Sequence, residues 1–295
     1  QKEFLKIEAD WFMGDGMFQP ITSLDIITKN GHARAYALGR SIQAYLKDFG
    51  VAVNVFRNSE YKPWRAEKPE QQKMILVLGG DGTLLSVLRK RGEDQVPVLG
   101  MNFGQVGFLT ELTPDGWEQS LEAIVKGHFH LSSRIMLHYD LHRQGDVVES
   151  GRVINDLLVG RGETARLIKL HLWTEGGDMG TVRADGLIVS TPIGSTAYAV
   201  AAGGALINHE LEVLEICAVC PFMSGFKPLI LPSRTKVWIQ VEPSSSDVYL
   251  TLDGQSGTRL RAGDRIAIRE SAVRLQFVQN NKESYINKLR LKGYL

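Results

Sequence analysis

The segment Gly79-Gly80-Asp81-Gly82-Thr83 follows the apolar run at 74–78, so a buried strand leads into a glycine turn. Glycines lack a Cβ, so their backbone N–H groups can approach a polyphosphate closely. The helix predicted from Leu84 onward directs the positive end of its dipole at such an anion. Phosphates would repel the carboxylate of Asp81 unless it holds a metal or accepts a proton from an attacking hydroxyl. The segment therefore indicates phosphoryl transfer.

A tight strand-to-helix loop is the structural alternative for this segment. In that case the glycines supply positive φ angles, and Asp81 or Thr83 caps the helix. The chain contains neither G-x-x-x-x-G-K-[ST] nor G-x-G-x-x-G, so it uses neither the Walker A nor the Rossmann phosphate loop.

Length and charge bound the class of protein. At 295 residues the chain is long enough for two domains that each bury a core. The net charge of +1, without a block of like charges, argues against a nucleic-acid partner and against a polybasic membrane anchor. We therefore expect the partners to be small molecules or proteins, with no nucleic acid and no membrane.

The sequence favours a cytoplasmic location. No basic segment followed by an apolar stretch opens it, so we expect no signal peptide. Residues 186–208 are uncharged, but Pro192 and several glycines make them too polar for a membrane span. Cys217 and Cys220 form a C-x-x-C without a second pair or a suitably spaced histidine, which favours small core residues in a strand over a metal or redox site. A reducing compartment fits this cysteine usage.

The first half of the chain alternates strand and helix patterns. Strands are predicted at 24–27, 51–56, 74–78 and 96–100, and helices at 33–49, from 84 onward and at 114–126. Repeated βα units predict a parallel sheet whose ligands gather at the carboxyl ends of the strands. Asp81 stands at one of those ends.

From about residue 131 the pattern changes to short β-branched and alternating runs. They lie at 134–142, 153–159, 167–174, 187–190, 214–219, 236–241, 248–252, 265–268 and 273–278. Such runs predict a β-rich domain of two packed sheets. We expect an α/β domain at 1–130, a β-sandwich domain at 131–278 and a weakly helical tail at 279–295 that could return to the first domain.

Further segments carry polar chemistry. Asn155-Asp156 suits a sugar diol or an adenine edge, or else an Asx turn. Arg183 and Asp185 point the same way in an extended chain, as a ligand-binding pair or as a surface ion pair. Residues 193–198 combine small side chains with hydroxyls and an aromatic ring, which permits close approach of the backbone to a ligand or to a packed helix.

Two histidines, His128 and His130, alternate as in a strand or loop. No third ligand occurs at a useful spacing, so we interpret both as structural or surface residues rather than metal ligands.

Together these segments resemble the NAD kinase family, in the usual order and over nearly the whole chain. The resemblance rests on GGDGT at 79–83, NFGQVGFLTEL at 102–112, ND at 155–156, ADGLIVSTPIGSTAYAVAAGG at 184–204, FKPLILP at 226–232 and DGQ at 253–255. GGDGT is shared with diacylglycerol-type and sphingosine kinases, whereas the STPxGSTAY block that follows DGL resembles NAD kinases specifically. The chain departs from the family pattern at Ile193, where relatives have a threonine, and at Asp156, where a glutamate is frequent.

The resemblance implies transfer of the γ-phosphoryl group of ATP to the 2′-hydroxyl of the adenosine ribose of NAD, which gives NADP. It also implies an α/β nucleotide-binding domain with a Rossmann-like parallel sheet, a β-sandwich domain for substrate binding and oligomerisation, and an active site between them. A divalent cation, Mg²⁺, would be carried mainly by ATP, because the sequence offers no dedicated metal cage. Similar proteins self-associate through the β-rich domain, so a homodimer or homotetramer is expected.

By the same resemblance, Asp81 is the catalytic residue that orients and deprotonates the 2′-hydroxyl. The other implied residues bind the nucleotides, at the phosphate-holding turn or around the adenosine, ribose and nicotinamide groups. In chain order they are Gly80, Gly82, Thr83, Phe108, Asn155, Asp156, Arg166, Arg183, Asp185, Gly194, Ser195, Thr196, Ala197, Tyr198 and Gln255. Asp185 is assigned to the nicotinamide half, and Phe108 to the adenine ring.

Two other functions use the same motifs. A lipid kinase shares the glycine-acid turn, but it would need a hydrophobic groove and a membrane-facing basic or amphipathic surface, and the sequence indicates neither. A dinucleotide-binding sensor would keep the pocket without turnover, and the intact Asp81 argues against it.

Overall fold

The computed structural model describes residues 18–62, 72–91, 95–104, 107–163, 166–223, 225–243, 247–255, 257–279 and 284–295. The chain divides into two compact units. The first comprises Gln1–Ser133 with Leu275–Leu295, and the second comprises Arg134–Arg274. The first unit is α/β and the second is β-rich, which confirms the predicted fold class.

The strands are numbered along the chain. They are β1 Ser23–Thr28, β2 Ala52–Arg57, β3 Lys73–Leu78, β4 Val98–Met101, β5 His130–Arg134, β6 Leu137–Arg143, β7 Asp146–Val153, β8 Asp156–Arg161, β9 Ile168–Thr174, β10 Gly177–Ala184, β11 Gly186–Ser190, β12 Val213–Val219, β13 Leu229–Pro232, β14 Val237–Val241, β15 Val248–Leu252, β16 Gly257–Leu260, β17 Arg265–Glu270 and β18 Leu275–Gln279.

The helices are numbered in the same way. They are α1 Ala33–Leu46, α2 Asp81–Lys90, α3 Trp117–Val125, α4 Tyr198–Ala201 and α5 Tyr285–Leu291, and short 3₁₀ turns lie at Lys47–Phe49 and Gly194–Thr196. The predicted helix at 33–49 thus comprises α1 and its 3₁₀ extension. It stops at Gly50, whose φ of 72° is a conformation that glycine adopts without strain.

The first unit is built on a sheet with the strand order β2-β1-β3-β4-β18-β5. The registers of β1 with β2 and β3, of β3 with β4, and of β4 with β18 are parallel. All six residues of β1 and of β3 are buried, as expected for central strands of a parallel sheet that is covered on both faces. The carboxyl ends of β1, β2 and β3 therefore lie at one edge of this sheet.

Strand β18 lies in the first unit, whereas the division predicted from the sequence assigns residues up to 278 to the second domain. Phe277 pairs in parallel with Val98, so β18 lies beside β4 in the sheet of the first unit. Its side chains Leu275, Phe277 and Val278 are buried. The apolar pattern marks such a strand correctly, but it carries no information about which sheet will accept the strand.

The second unit consists of two antiparallel sheets, with the orders β10-β9-β14-β17-β6-β7 and β13-β12-β11-β8-β15-β16. Alternate residues of both sheets form one apolar core, for example Leu170 and Ile239 from the first sheet and Val159 and Leu187 from the second. Two sheets that share one core in this way form a sandwich, as predicted.

Residues 186–208 form β11, a 3₁₀ turn and α4. Within the described residues, no helix is both long enough and apolar enough to cross a membrane. The small and hydroxyl-bearing residues of this stretch thus form the turn between β11 and α4.

Candidate active site

The glycine turn lies where β3 ends and α2 begins. Gly80 is the N-cap, and no side chain caps the helix. The carboxylate of Asp81 instead accepts the backbone N–H of Phe108 at 2.8 Å on Oδ2 and that of Leu109 at 3.2 Å on Oδ1. The capping alternative is therefore wrong for Asp81, because its side chain is directed at a second loop rather than at its own helix.

Gly107 makes this arrangement possible. A Cβ on Gly107 would lie 2.0 Å from Asp81 Oδ1, so any side chain would displace the carboxylate. The N–H of Gly107 donates to the buried hydroxyl of Thr110 at 2.9 Å, which closes the turn that presents the two amides. Gln105 and Val106, from the same motif, lie outside the described residues.

The two amide contacts orient Asp81 without exhausting its acceptor capacity. Each oxygen of an ionised carboxylate offers two lone-pair positions, and each here receives one N–H. Asp81 is half-buried, so a further donor can reach it. The side chain is thus fixed in direction and still able to accept a hydrogen bond from a ligand hydroxyl.

A cavity of about 350 Å³ adjoins the turn. Its lining comes from the ends of three parallel strands: Lys29 and Asn30 after β1, Asn58 after β2, and Gly80, Gly82 and Thr83 after β3. The first N–H groups of α2 have no partner inside the helix, and the helix dipole is positive at this end. Together with the Lys29 ammonium, they make the cavity suitable for a polyanion.

In the second unit, Asp253 holds the segment Ile154-Asn155-Asp156. Its Oδ1 accepts the N–H of Asn155 at 2.7 Å, of Ile154 at 3.1 Å and of Asp156 at 3.3 Å, and its own N–H donates to the Asp156 carbonyl at 2.9 Å. Asp253 has a φ of 49° and Gly254 of 65°, as in the tight hairpin turn that an Asp-Gly pair favours. Of the DGQ motif, only Gln255 is a sequence-predicted site residue, and it is exposed in this turn.

Asp156 is 5% exposed. Burial, and then the neighbouring charge of Asp253, raise the pKa of its carboxyl to about 6, against a smaller opposing effect of the Tyr198 backbone N–H, which donates to it. A carboxyl with this pKa changes its charge close to physiological pH. The same N–H contact joins the turn at 193–198 to Asp156.

The turn at 193–198 packs directly on Asn155. A Cβ on Gly194 would lie 2.0 Å from the Asn155 carbonyl oxygen, so only glycine fits there. Ser195 is fully buried, and its hydroxyl donates to the Pro192 carbonyl at 2.7 Å and accepts from the Ile207 N–H at 3.1 Å. This hydroxyl is used within the protein, whereas the neighbouring Tyr198 is exposed.

The rest of that turn is more accessible. The Thr196 hydroxyl donates to the Ile193 carbonyl at 3.2 Å, and Ala197 is exposed. The structure therefore brings together one group of predicted residues, which we name the Asp156 cluster: Asn155, Asp156, Gly194, Ser195, Thr196, Ala197, Tyr198 and Gln255, with Asp253 added.

Asp185 lies apart from this cluster. In the antiparallel pair of β8 and β11, Ser190 is opposite Asp156 and Gly186 is opposite Gly160. Asp185 therefore stands near the other end of these strands, about 17 Å away for five residues at about 3.4 Å each. Within one chain, Asp185 and Asp156 are too far apart to hold the same ribose.

The pairing of Arg183 with Asp185 that the sequence suggested is not observed. Asp185 accepts from Arg161 Nε at 2.7 Å, and the Arg183 guanidinium lies 5.4 Å from the centre of the Phe222 ring. The cation is Arg161, because the end of β8 lies beside Asp185. The spacing of residues along the sequence does not reveal this contact. Arg166 is exposed in the loop between β8 and β9.

Comparison with known proteins identifies the family. Residues 43–129 match the ATP-NAD kinase N-terminal domain, and residues 154–280 match the ATP-NAD kinase C-terminal domain. An NAD kinase of Nitratidesulfovibrio vulgaris is 39% identical over 95% of this chain and 99% of the relative. The chain belongs to the NAD kinase family. An NAD kinase of Geotalea daltonii is 40% identical over 79% of this chain and 82% of the relative.

Solved structures agree with this assignment. An NAD kinase from Archaeoglobus fulgidus, in complex with ATP, matches with a TM-score of 0.71 and 27% identity over 91% of this chain and 99% of that one. Yeast NADH kinase, complexed with NADH, shares the fold with a TM-score of 0.79 over 92% of this chain and 87% of that one, at 23% identity. The comparisons give no support to the lipid kinase and sensor alternatives.

Several residues that shape the site were not among the sequence candidates: Gly107, Lys29, Asp253, and Lys288, whose Nζ donates to the Phe108 carbonyl at 3.2 Å. Gly107 could have been suspected from its place in the NFGQVGFLTEL motif, and Asp253 from the Asp-Gly turn. Lys29 and Lys288 carry no comparable local signal.

Phe108 lies near aromatic rings of the C-terminal segment, and its role at the adenine ring stays a prediction. Its ring centre lies 6.3 Å from that of Tyr285 and 6.1 Å from that of Tyr294, both near the C-terminus. Its backbone N–H donates to the Asp81 carboxylate at 2.8 Å.

The cysteines and histidines carry no shared site. Cys217 is buried, as predicted, but Cys220 is exposed beyond the end of β12, so the prediction of two core thiols is wrong for Cys220. His128 and His130 are both exposed, on either side of the buried Phe129. Among the described residues, no three His, Cys, Asp or Glu side chains meet in a way that would hold a metal ion.

Proposed function

We propose that this protein transfers the γ-phosphoryl group of ATP to the 2′-hydroxyl of the adenosine ribose of NAD, giving NADP. One observation carries the proposal. The Asp81 carboxylate is held at the carboxyl end of β3 by two loop amides, next to a cavity that offers Lys29 and helix N–H groups to phosphates.

Asp81 is proposed to take the proton of the 2′-hydroxyl. An ordinary aspartate has a pKa of about 4, so it cannot remove a proton from a ribose hydroxyl in the ground state. In a loose phosphoryl transition state the hydroxyl becomes acidic only as its bond to phosphorus forms. Asp81 therefore acts late, and most of the rate comes from holding the hydroxyl in line with the γ-phosphorus. The two amides serve this purpose because they fix the direction of the carboxylate.

The Asp156 cluster is proposed to hold the adenosine part of NAD. The buried Asn155 Oδ1 has no hydrogen-bond partner within the described residues, so a ligand amino group or hydroxyl would satisfy it. When ionised, the Asp156 carboxylate accepts ribose hydroxyls. Asp253 keeps both residues in place through the three backbone N–H groups that it accepts.

The triphosphate of ATP is proposed to occupy the cavity that Lys29 lines. Mg²⁺ keeps most of its water ligands and commonly binds through substrate phosphates and one or two carboxylates. The donor set at this turn is one carboxylate and the hydroxyl of Thr83, which fits a cation that arrives with ATP. Bound there, the cation would neutralise charge on the transferred group, and Asp81 would supply the one carboxylate.

Self-association through the second unit is also proposed. Leu229 and Ile230 are 37% and 47% exposed on β13, an edge strand, and Met223 in the preceding loop is 92% exposed. Exposed apolar edge strands are unfavourable in a monomer unless a partner covers them. We expect the protein to form a homodimer or a homotetramer. Light scattering measures the oligomeric state, and Ile230→Asp should weaken the association. The two free thiols are consistent with a cytoplasmic location.

The purified protein should be incubated with NAD, ATP and Mg²⁺ while NADP is followed with an NADP-specific dehydrogenase. We expect NADP to accumulate in proportion to the ADP released. Binding of NAD without product would support the sensor instead, and phosphorylation of diacylglycerol vesicles in place of NAD would support a lipid kinase.

A further inference from the structure

Lys288 is a buried cation that the function above does not use. It lies on α5, is 6% exposed, and its Nζ donates to Glu111 Oε1 at 2.7 Å, to the Phe108 carbonyl at 3.2 Å and to the Thr110 carbonyl at 3.5 Å. These contacts account for the three donors of an ammonium group. Burying such a charge is costly unless it is paired and hydrogen-bonded, and Lys288 meets both conditions.

The carbonyl that Lys288 contacts belongs to the same peptide group that contacts Asp81. The peptide between Phe108 and Leu109 has its oxygen at the Lys288 ammonium and its N–H, which is that of Leu109, at Asp81 Oδ1. A cation at the oxygen and an anion at the N–H polarise one amide in the same direction, so each hydrogen bond strengthens the other. The peptide is also fixed in rotation because both of its ends are held.

The second acceptor of Lys288 braces the same turn. The Thr110 carbonyl receives Lys288, and the Thr110 hydroxyl accepts the N–H of Gly107. Gly107 is the residue whose missing side chain leaves room for the Asp81 carboxylate. Lys288 thus contacts the turn on the side opposite to Asp81, at both positions that determine where the amides point.

We propose that Lys288 is a positioning residue for phosphoryl transfer: it fixes and polarises the Phe108–Leu109 peptide, which in turn orients Asp81 toward the ribose hydroxyl. The inference rests on the proposed role of Asp81. Lys288 touches neither substrate nor reacting atoms. Its effect therefore belongs to the chemical step, whereas the binding of NAD and ATP should be unaffected.

The decisive variant is Lys288→Met, which keeps the length and apolar stem of the side chain and removes the charge. We expect kcat to fall about tenfold, a loss of about 1.4 kcal/mol in transition-state stabilisation. The KM values for NAD and ATP should stay within twofold. Without the cation at the Phe108 carbonyl, the Leu109 N–H is a weaker donor to the charged Asp81 carboxylate, so the acid limb of the pH profile of kcat should move to higher pH.

Matched variants separate this role from a purely structural one. Lys292→Met removes an exposed lysine of the same C-terminal segment, one helical turn later, and should match the unchanged protein. Glu111→Gln keeps Lys288 on the two carbonyls and should retain most of kcat. The double variant Lys288→Met/Glu111→Gln avoids leaving a lone buried carboxylate, and should still show the lower kcat and the shifted acid limb. All rates are divided by the folded fraction from thermal melting.

Each outcome decides between the alternatives. If the unchanged protein and Lys292→Met make no NADP, the proposed function fails. If both make NADP and the folded Lys288 variants show the same kcat and acid limb, the role of Lys288 is overturned. A loss equal to that of Glu111→Gln alone overturns it too. If neither methionine variant folds, Lys288→Gln is decisive: it removes the charge while its amide can still donate to the two carbonyls, and an unmoved acid limb overturns the proposal.

Discussion

Two aspartates of this chain, Asp81 and Asp156, are held by their surroundings in opposite ways. Asp81 is half-buried, and its oxygens accept two backbone N–H groups from a turn that Gly107 and Thr110 shape. Asp156 is buried beside a second carboxylate, that of Asp253, and its pKa is raised to about 6. One environment supplies donors to the charged form, while the other removes water and adds a like charge.

Under the proposed function, this difference corresponds to two separate tasks, proton acceptance by Asp81 and recognition of the adenosine ribose by Asp156. An acid that accepts a proton late in the reaction needs a fixed direction, which backbone donors provide. An acid that recognises sugar hydroxyls can be desolvated, because the ligand then replaces the missing water. The comparison predicts that changes at Asp81 affect turnover, whereas changes around Asp156 affect NAD binding and stability.

The largest effect is expected from Asp81→Asn. The amide keeps the shape of the side chain but cannot accept the hydroxyl proton, and proton-transfer groups typically contribute 10²- to 10⁴-fold. We expect kcat to fall about 10³-fold, with the NAD dissociation constant, measured by calorimetry, within about threefold. A variant that turned over normally would contradict the division of tasks.

The next largest effect is expected from Asp253→Ala. Three backbone N–H groups would lose their acceptor, and each unsatisfied buried donor costs about 1–3 kcal/mol. We expect a stability loss of about 2–4 kcal/mol in urea unfolding and a weaker affinity for NAD. The pKa of Asp156 should fall, because a neighbouring negative charge is removed.

Asp247→Ala is the matched control, because Asp247 is a half-exposed aspartate of the same unit that pairs with Arg259. It should change stability by less than about 1 kcal/mol. An equal loss in both variants would show that Asp253 has no special role.

Asp156→Asn tests the raised pKa through the pH dependence of stability. Between pH 3.8 and about 6, the folded protein binds more protons at Asp156 than the unfolded chain does. The stability that protonated Asp156 contributes to the folded protein is therefore fully present below about pH 3.8, and it is lost as the pH rises through about 6.

A pKa of about 6 instead of 3.8 corresponds to about 3 kcal/mol, so Asp156→Asn should be about 2–3 kcal/mol more stable than the unchanged protein at pH 8. The gain should shrink as the pH is lowered to 5, and NAD affinity should be lower. Urea unfolding at several pH values measures the difference, and a gain independent of pH would contradict the raised pKa.

Lys29→Met is expected to weaken the binding of ATP and to leave the binding of NAD unchanged. Lys29 lines the cavity beside the glycine turn, and removing one charge–phosphate contact costs about 1.4 kcal/mol, or tenfold. We expect the KM for ATP to rise about tenfold while the KM for NAD stays within twofold. Lys47→Met, which removes an exposed lysine at the other end of α1, is the control. A larger effect on NAD than on ATP would place the triphosphate elsewhere.

The smallest effect is expected from the cysteines. Burial raises the pKa of the Cys217 thiol to about 11, so this thiol stays protonated and inert, and Cys220 lies exposed beyond the strand. Replacing both by serine or alanine should leave NADP formation within twofold, in reducing buffer and without it. If these replacements abolished activity, and if the activity of the unchanged protein depended on a metal or an oxidant, the C-x-x-C would be a functional site.

The inner strands of the second unit follow from the sequence, but its edge strands do not. Four described strands of the second unit were missing from the prediction, namely β7, β10, β13 and β16, and each lies at an edge of one of its two antiparallel sheets. An edge strand has one neighbour and faces solvent, so selection for alternating apolar residues is weak there. Strand β13 ends at Pro232 and β16 begins at Gly257, residues that normally argue against a strand interior.

The site shows a similar division between local and distant information. Asp81 and the pair Asn155-Asp156 follow from local motifs, because each stands beside the strand that positions it. Asp253 contacts Asn155 across 98 residues, and Lys288 contacts Phe108 across 180. Such contacts depend on how the chain folds back on itself, which spacing along the sequence does not determine.

The most direct test of the central claim is a crystal structure of the protein with NAD and a non-hydrolysable ATP analogue. We predict that the 2′-oxygen of the adenosine ribose lies within about 3.2 Å of an Asp81 carboxylate oxygen, with the γ-phosphorus in line beyond it. A 2′-oxygen out of hydrogen-bond reach of Asp81, next to a different proton acceptor, would contradict the account.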